Sequence, residues 1–178
     1  MEEKIIIAGF GGQGIVVAGN VLAQSALIEN KQVAAMVSYG AEMRGGTANC
    51  TVVISDKEIA SPTFDHPTTA IILNEPSLDK FEEMVEKNGL IVLNESLVQR
   101  EVKRKDVKVL KIKATEIANN LGNVRVANLV LIGGFIQKTN ILKLETVKNN
   151  LDKFFPKQKQ DLVEINKKAL EKGALSCS

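Results

Sequence analysis

Two glycine-rich stretches hold the residues whose types and spacing offer chemistry. The first is Gly9-Phe10-Gly11-Gly12-Gln13-Gly14. Gly9, Gly11 and Gly14 keep the spacing of a dinucleotide fingerprint, where glycine allows a tight strand-to-helix turn and close approach of the helix to the strand. Backbone N–H groups at the start of the following helix sit at the positive end of its dipole. Gly11, Gly12, Gln13 and Gly14 are therefore candidate cofactor- or anion-binding residues. The second stretch is Ser38-Tyr39-Gly40-Ala41-Glu42-Met43-Arg44-Gly45-Gly46-Thr47. Arg44 offers a bidentate contact to a carboxylate or phosphate, and Glu42 can orient it or face a polar partner. Ser38 and Tyr39 stand where a strand runs out, the place where open α/β sheets keep their binding crevices. A Glu42–Arg44 pair that only stabilises a turn is the alternative, and the residues leave both readings open.

What the two stretches lack is also informative. An NAD-binding unit places Asp or Glu at the end of its second strand to grip the ribose 2′-hydroxyl. Here that strand ends in Ser38-Tyr39, with Glu29 before it and Glu42 beyond it. The hydride-transfer reading is weaker for it. No residue stands out as catalytic. The single histidine, His66, is wedged between Asp65 and Pro67 in a polar turn, and no cysteine or carboxylate motif has catalytic spacing.

The elements that must position these residues read as an alternation of strands and helices. Ile5-Ile6-Ile7-Ala8 is a buried strand, and Ile15, Val16, Ala18, Val21, Leu22 and Ala26 recur at helical spacing after the glycines. Val33 to Val37 reads as a short buried second strand and Ala48 to Ser55 as a third, with Ile59-Ala60 as a short return strand. Thr69 to Asn74 and Leu90 to Asn94 are further buried strands, joined by a helix that starts at Glu75-Pro76-Ser77 and is capped by Asn88-Gly89. Val107 to Lys113 has the lysines of an edge strand. Val124 to Lys138 is apolar on nearly all sides, which predicts a buried helix, with Gly133-Gly134 admitting a close neighbour and Asn128 needing a partner. Two amphipathic helices, Leu144 to Phe155 and Lys157 to Lys172, precede a tail expected to fray from Gly173. The expected fold class is α/β: one domain over residues 1–178, with a Rossmann-like, doubly wound, mostly parallel sheet and C-terminal helices.

Composition narrows the function. The chain has 178 residues and a formal net charge of +2, with 4% aromatics, so neither a basic patch nor a stacking platform for nucleic acid is expected. Cys50 and Cys177 are in no C-x-x-C spacing and read as free thiols, and two cysteines alone cannot hold an ordinary iron–sulfur cluster. No metal site is expected on this chain. No charged-then-apolar leader and no long apolar span appears, so a cytoplasmic protein without a membrane partner is expected.

Taken together, the motifs resemble the gamma subunit of 2-oxoacid:ferredoxin oxidoreductases. The matching residues are the two glycine-rich stretches, Ser61-Pro62, Asn74-Glu75-Pro76, and Asn128 followed by Gly133, and the likeness runs roughly from Ile5 to Phe155. The wording is closest to the branch acting on 2-oxoglutarate, with branched-chain 2-oxoacids next. The resemblance implies oxidative decarboxylation: a 2-oxoacid and coenzyme A give an acyl-CoA and carbon dioxide, with electrons passed to ferredoxin. It implies thiamine diphosphate with Mg and iron–sulfur clusters in partner subunits, with coenzyme A as co-substrate. This subunit would then help shape the active-site approach or the coenzyme A site, and the isolated chain would be silent. A stand-alone NAD(P)-binding oxidoreductase and a ligand-free assembly subunit are the alternatives.

Overall fold

The computed structural model describes residues 1–38, 47–154 and 160–177. Six strands form one sheet in the order β2-β3-β1-β4-β5-β6. They are β1 (Glu2–Phe10), β2 (Gln32–Ser38), β3 (Thr47–Ser55), β4 (Thr69–Ile72), β5 (Leu90–Asn94) and β6 (Lys108–Ile112). β1, β4, β5 and β6 are mutually parallel. β3 alone runs the other way, antiparallel to both β1 and β2. The expected α/β, Rossmann-like, mostly parallel sheet is therefore present, with one reversed strand set into it. The helices are α1 (Ile15–Ile28), α2 (Glu75–Phe81), α3 (Ala114–Asn120), α4 (Ala127–Thr139), α5 (Leu144–Asn149) and α6 (Gln160–Leu175).

Strand alternation sends side chains to two cores. Ile5, Ile7, Val52, Ile54, Ile71 and Val92 face α1, α4 and α6. Ile6, Ala8, Ala70, Ile72, Ile91 and Leu93 face Leu78 and Phe81 of α2, with Val98 and Val102 from the segment after β5.

The first core is closed by small residues. Every residue of α4 from Ala127 to Ile136 is buried. A Cβ on Gly133 would run into the Leu170 backbone of α6, and one on Gly173 into the Val130 backbone of α4. Gly19 does the same for α1 on β3, where the Cys50 thiol fills the space a side chain would take. The second core is closed by charge. Glu82 is 2% exposed, and its Oε2 lies 2.7 Å from Arg100 Nη1. Its Oε1 accepts from the backbone N–H groups of Lys103 and, at 3.0 Å, Arg104. Burial opposes the charge, but these N–H donors and the Arg100 guanidinium outweigh it and hold Glu82 below its ordinary carboxylate value.

Several expectations change. β2 lies at the sheet's edge rather than in its interior, with Met36 and Val37 exposed. Ile59-Ala60 is not a strand. The helix that begins at Glu75 ends at Phe81 and tightens to a 3₁₀ turn over Glu82–Met84, well before Asn88. α6 continues through Gly173 to Leu175, because that glycine is a packing residue and not a terminator.

Candidate functional site

The glycine turn leaves β1 and enters α1 with two residues in the left-handed region, Gly12 at φ 89° and Gly14 at φ 74°. Both conformations favour glycine. Gly14 is also pinned from outside: its carbonyl accepts from Asn128 Nδ2 at 2.9 Å, and a Cβ there would strike the same carboxamide. The other end of that carboxamide accepts Leu129 N–H at 2.8 Å, so both ends of the Asn128 side chain are engaged at the head of α4. The N-cap of α1 is Gly14, so that position offers no side chain to cap the first N–H groups of the helix.

The chain reverses direction across the sheet between β1 and β4, the position where doubly wound sheets open a crevice. Gln13 spans that crevice. Its Oε1 accepts Phe10 N–H at 2.6 Å and Asn74 Nδ2 at 3.1 Å, while Asn74 Oδ1 caps α2 by accepting Ser77 N–H at 3.0 Å. Gly9 is required beneath it, since a Cβ would meet Gln13 Oε1, Ile15 and Leu73. Gln13 thus satisfies, from within the chain, a donor that a bound phosphate would otherwise take. Gly11 and Gly12 remain exposed, with open space where side chains would stand.

Beside Gly12 and Gly14 lies a cavity of about 250 Å³, walled by Val17, Val126 and Asn128 and closed by Asn123, Arg125 and Asn166. Arg125 is exposed and makes no ion pair among the described residues. Asn166 is buried and donates to Leu162 O at 2.6 Å, which leaves its carboxamide oxygen without a partner among the described residues. Arg125 and Asn166 add to the candidate set that the sequence proposed. The one signal for them was the polar Gly122-Asn123 break before the most apolar helix. A larger cavity of about 400 Å³ opens at the other end of the sheet, near Thr68, Thr69 and Gly89. Its two carboxylates are already engaged, Glu3 by Thr68 Oγ1 at 2.8 Å and Glu86 by Lys4 Nζ at 3.3 Å.

Of the residues proposed from sequence, Gly11, Gly12, Gln13 and Gly14 stand together. Ser38 closes β2 in register with Asn49, at the same end of the sheet as the glycine turn. Tyr39, Glu42 and Arg44 lie outside the described residues. His66 Nδ1 sits 3.1 Å from Met84 O, a turn contact on the far side of α2. Among the described residues no group of three or more His, Cys, Asp or Glu could hold a metal ion, and no helix is long and apolar enough to cross a membrane.

A mostly parallel sheet with a glycine turn braced by α4 makes this a Rossmann-like α/β protein. The chain belongs to the pyruvate ferredoxin/flavodoxin oxidoreductase family, whose profile matches residues 4–175. Within it, the chain is 36% identical to the ketoisovalerate oxidoreductase subunit VorA of Methanothermobacter marburgensis, over 97% of its own length and 36% of that protein's. It is 35% identical to the 2-oxoglutarate synthase subunit KorC of Methanocaldococcus jannaschii, over 97% of its own length and 92% of that protein's. Among solved structures, the gamma subunit of a keto/oxoacid ferredoxin oxidoreductase from Geobacter sulfurreducens superposes with a TM-score of 0.85, 25% identity and 98% of both chains covered. The chain therefore spans about a third of the VorA-type relatives it matches and nearly all of the KorC-type one.

Proposed function

We propose that this chain is the gamma-type subunit of a multisubunit 2-oxoacid:ferredoxin oxidoreductase, with 2-oxoglutarate as the 2-oxoacid. The observation that carries the reading is the 35% identity to a KorC subunit over 92% of that protein's length. The reaction is the conversion of the 2-oxoacid and coenzyme A to an acyl-CoA and carbon dioxide, with electrons leaving to ferredoxin.

The donor set agrees with a supporting role. Cys50 is buried under α1 and Cys177 lies at the end of α6, so the two thiols do not form a cluster site. Thiamine diphosphate with Mg and the iron–sulfur clusters are assigned to partner subunits, where they supply bond cleavage and electron transfer. This chain's part is to bind and orient. The exposed Arg125, the start of α1 and Gly12 border one basic, donor-rich mouth suited to a phosphate of coenzyme A. At about 250 Å³ the cavity falls below the roughly 300–1,000 Å³ typical of whole-ligand pockets, so it would hold a terminal group and not a whole dinucleotide. Ser38 ends β2 at the same end of the sheet as the glycine turn, and Tyr39, Glu42 and Arg44 follow it in the sequence. The NAD(P) alternative gains nothing here, since the ribose-gripping acid is absent and Gln13 occupies the crevice.

The test is reconstitution. The purified chain alone should give no 2-oxoglutarate-dependent reduction of ferredoxin or a viologen dye, and activity should appear with the cognate subunits. Turnover by the isolated chain, or a reconstituted complex that prefers pyruvate or a branched 2-oxoacid, would overturn the reading in whole or in its substrate. In the active complex, Arg125→Ala and Arg44→Ala should each raise the KM for coenzyme A about ten-fold with kcat little changed, the signature of lost uniform binding.

A further inference from the structure

One face of the molecule carries almost no charge. α1 contains no Asp, Glu, Lys or Arg in fourteen residues, and β2, Gln-Val-Ala-Ala-Met-Val-Ser, contains none in seven. The chain as a whole is 25% charged. The two elements adjoin: α1 rests on β3 through the Gly19–Cys50 contact, and β2 is the outer neighbour of β3. Their exposed surface is apolar as well as neutral. Val17, Leu27 and Ile28 project from α1, and Met36 and Val37 from β2, each at least 40% exposed. The α1 positions between them are Asn20 and Gln24, polar but uncharged. By strand alternation Val37 lies on the α1 side of the sheet with Cys50, whereas Met36, like Phe10 of β1, lies on the opposite side. Val17, Leu27, Ile28 and Val37 therefore make up this face, four of the eleven exposed large apolar side chains among the described residues.

The backbone is open on the same face. β2 pairs only with β3 among the described residues, which leaves a seven-residue outer edge. Natural sheets protect such edges with lysine, proline or a bulge, and within its span β2 has neither lysine nor proline. An uncharged, apolar face with an unpaired strand has the character of a permanent interface, where charged residues are depleted.

We infer that the α1–β2 face is the seat of a partner subunit of the oxidoreductase, which pairs an extended segment with β2 and lays an uncharged apolar surface over α1. The occupant follows from chain length. In VorA this unit is about a third of one polypeptide, so the remaining two thirds is a companion that never leaves it. In KorC the same unit is nearly the whole chain, and the companion must be held without a covalent link. The inference rests on the proposed reading as a subunit.

The experiment uses the complex of this chain with its cognate oxidoreductase subunits. Amides of β2 should exchange with deuterium about ten-fold or more slowly in the complex than in the isolated chain, while those of β6 stay unchanged. Val37→Lys should leave the circular dichroism and Tm of the isolated chain intact and reduce recovery of the complex about ten-fold or more, and Val109→Lys on β6 should assemble normally. Normal assembly of Val37→Lys with unprotected β2 amides overturns the docking face while leaving the subunit reading in place. A wild-type chain that binds no oxidoreductase subunit overturns both. An isolated chain that runs as a dimer, made monomeric by Val37→Lys with complex formation unaffected, assigns the face to a second copy and overturns the inference.

Discussion

The two faces of the sheet are held by different physics. On the α1–α4–α6 face the contacts are apolar, and glycines set how closely the elements approach: Gly19 on β3, Gly133 on α6 and Gly173 on α4. On the α2 face the closing segment is held by a buried carboxylate, Glu82, with Arg100 and the N–H groups of Lys103 and Arg104. Arg100 reaches on to Asp79 at 2.7 Å, and Arg104 pairs with Asp106 at 2.7 Å. The first arrangement buries no charged side chain among the described residues, and its glycine contacts leave little room for added volume. The second surrounds one buried ionised group, Glu82, with exposed rim carboxylates, Asp79 and Asp106. The glycine turn is braced from the first face by Asn128 and from the second by Asn74, and so it inherits from both.

The sharpest way to break this contrast is volume. Gly133→Ala puts a methyl into the α6 backbone, which cannot give way as a flexible side chain can, and should cost about 3 kcal/mol or more. Denaturant melts at neutral pH and at pH 4 should show the same loss. A cost below about 1 kcal/mol would mean the two helices slide apart freely.

Glu82→Gln comes next. It keeps the shape but leaves the Arg100 guanidinium without its buried counter-charge, for an expected loss of about 2 kcal/mol at pH 7. Its pH dependence is diagnostic. The folded value lies below the ordinary 4.5, so the contribution is complete above that value and disappears as pH falls through the folded pKa. Wild type should lose stability on acidification below about pH 4.5 and Glu82→Gln should lose less, so the two curves converge at low pH. Parallel curves would place the acid sensitivity elsewhere.

Asn128→Ala should have the smallest effect, about 1–2 kcal/mol from the lost bond to Gly14 and the uncapped Leu129 N–H. Faster amide exchange at Gly12 to Val16 would tie that loss to the turn, whereas exchange changes confined to α4 would not.

How much of this was legible in the sequence depended on whether a signal was local. β1, β4 and β5 are buried on both sides, and unbroken apolar runs announce such strands. α4 was legible for the same reason. β2 has an equally apolar run, yet nothing in Val33 to Val37 says that β3 will insert between it and β1 and leave it at the margin. Edge or centre is decided by non-local pairing. The glycine turn could be read from its spacing, but not the fate of Gln13, whose partner Asn74 is 61 residues away. Arg125, just before α4, and Asn166, on α6, line one cavity because those two helices pack together through Gly133 and Gly173. Gly173 itself looked like the start of a frayed tail, because a glycine that ends a helix and one that admits a neighbour look alike in sequence.

The Gly19–Cys50 contact gives the molecule an internal clock. Cys50 is 1% exposed beneath α1, and burial raises its thiol above the ordinary value, so it is both shielded and protonated. Cys177 is half-buried at the end of α6. A thiol-directed dye should therefore react in two phases, with Cys177 first and Cys50 only when α1 lifts from β3. The slow rate would report how often that helix opens, without any engineered probe. If a partner covers α1, its arrival should slow that second phase and leave the first untouched.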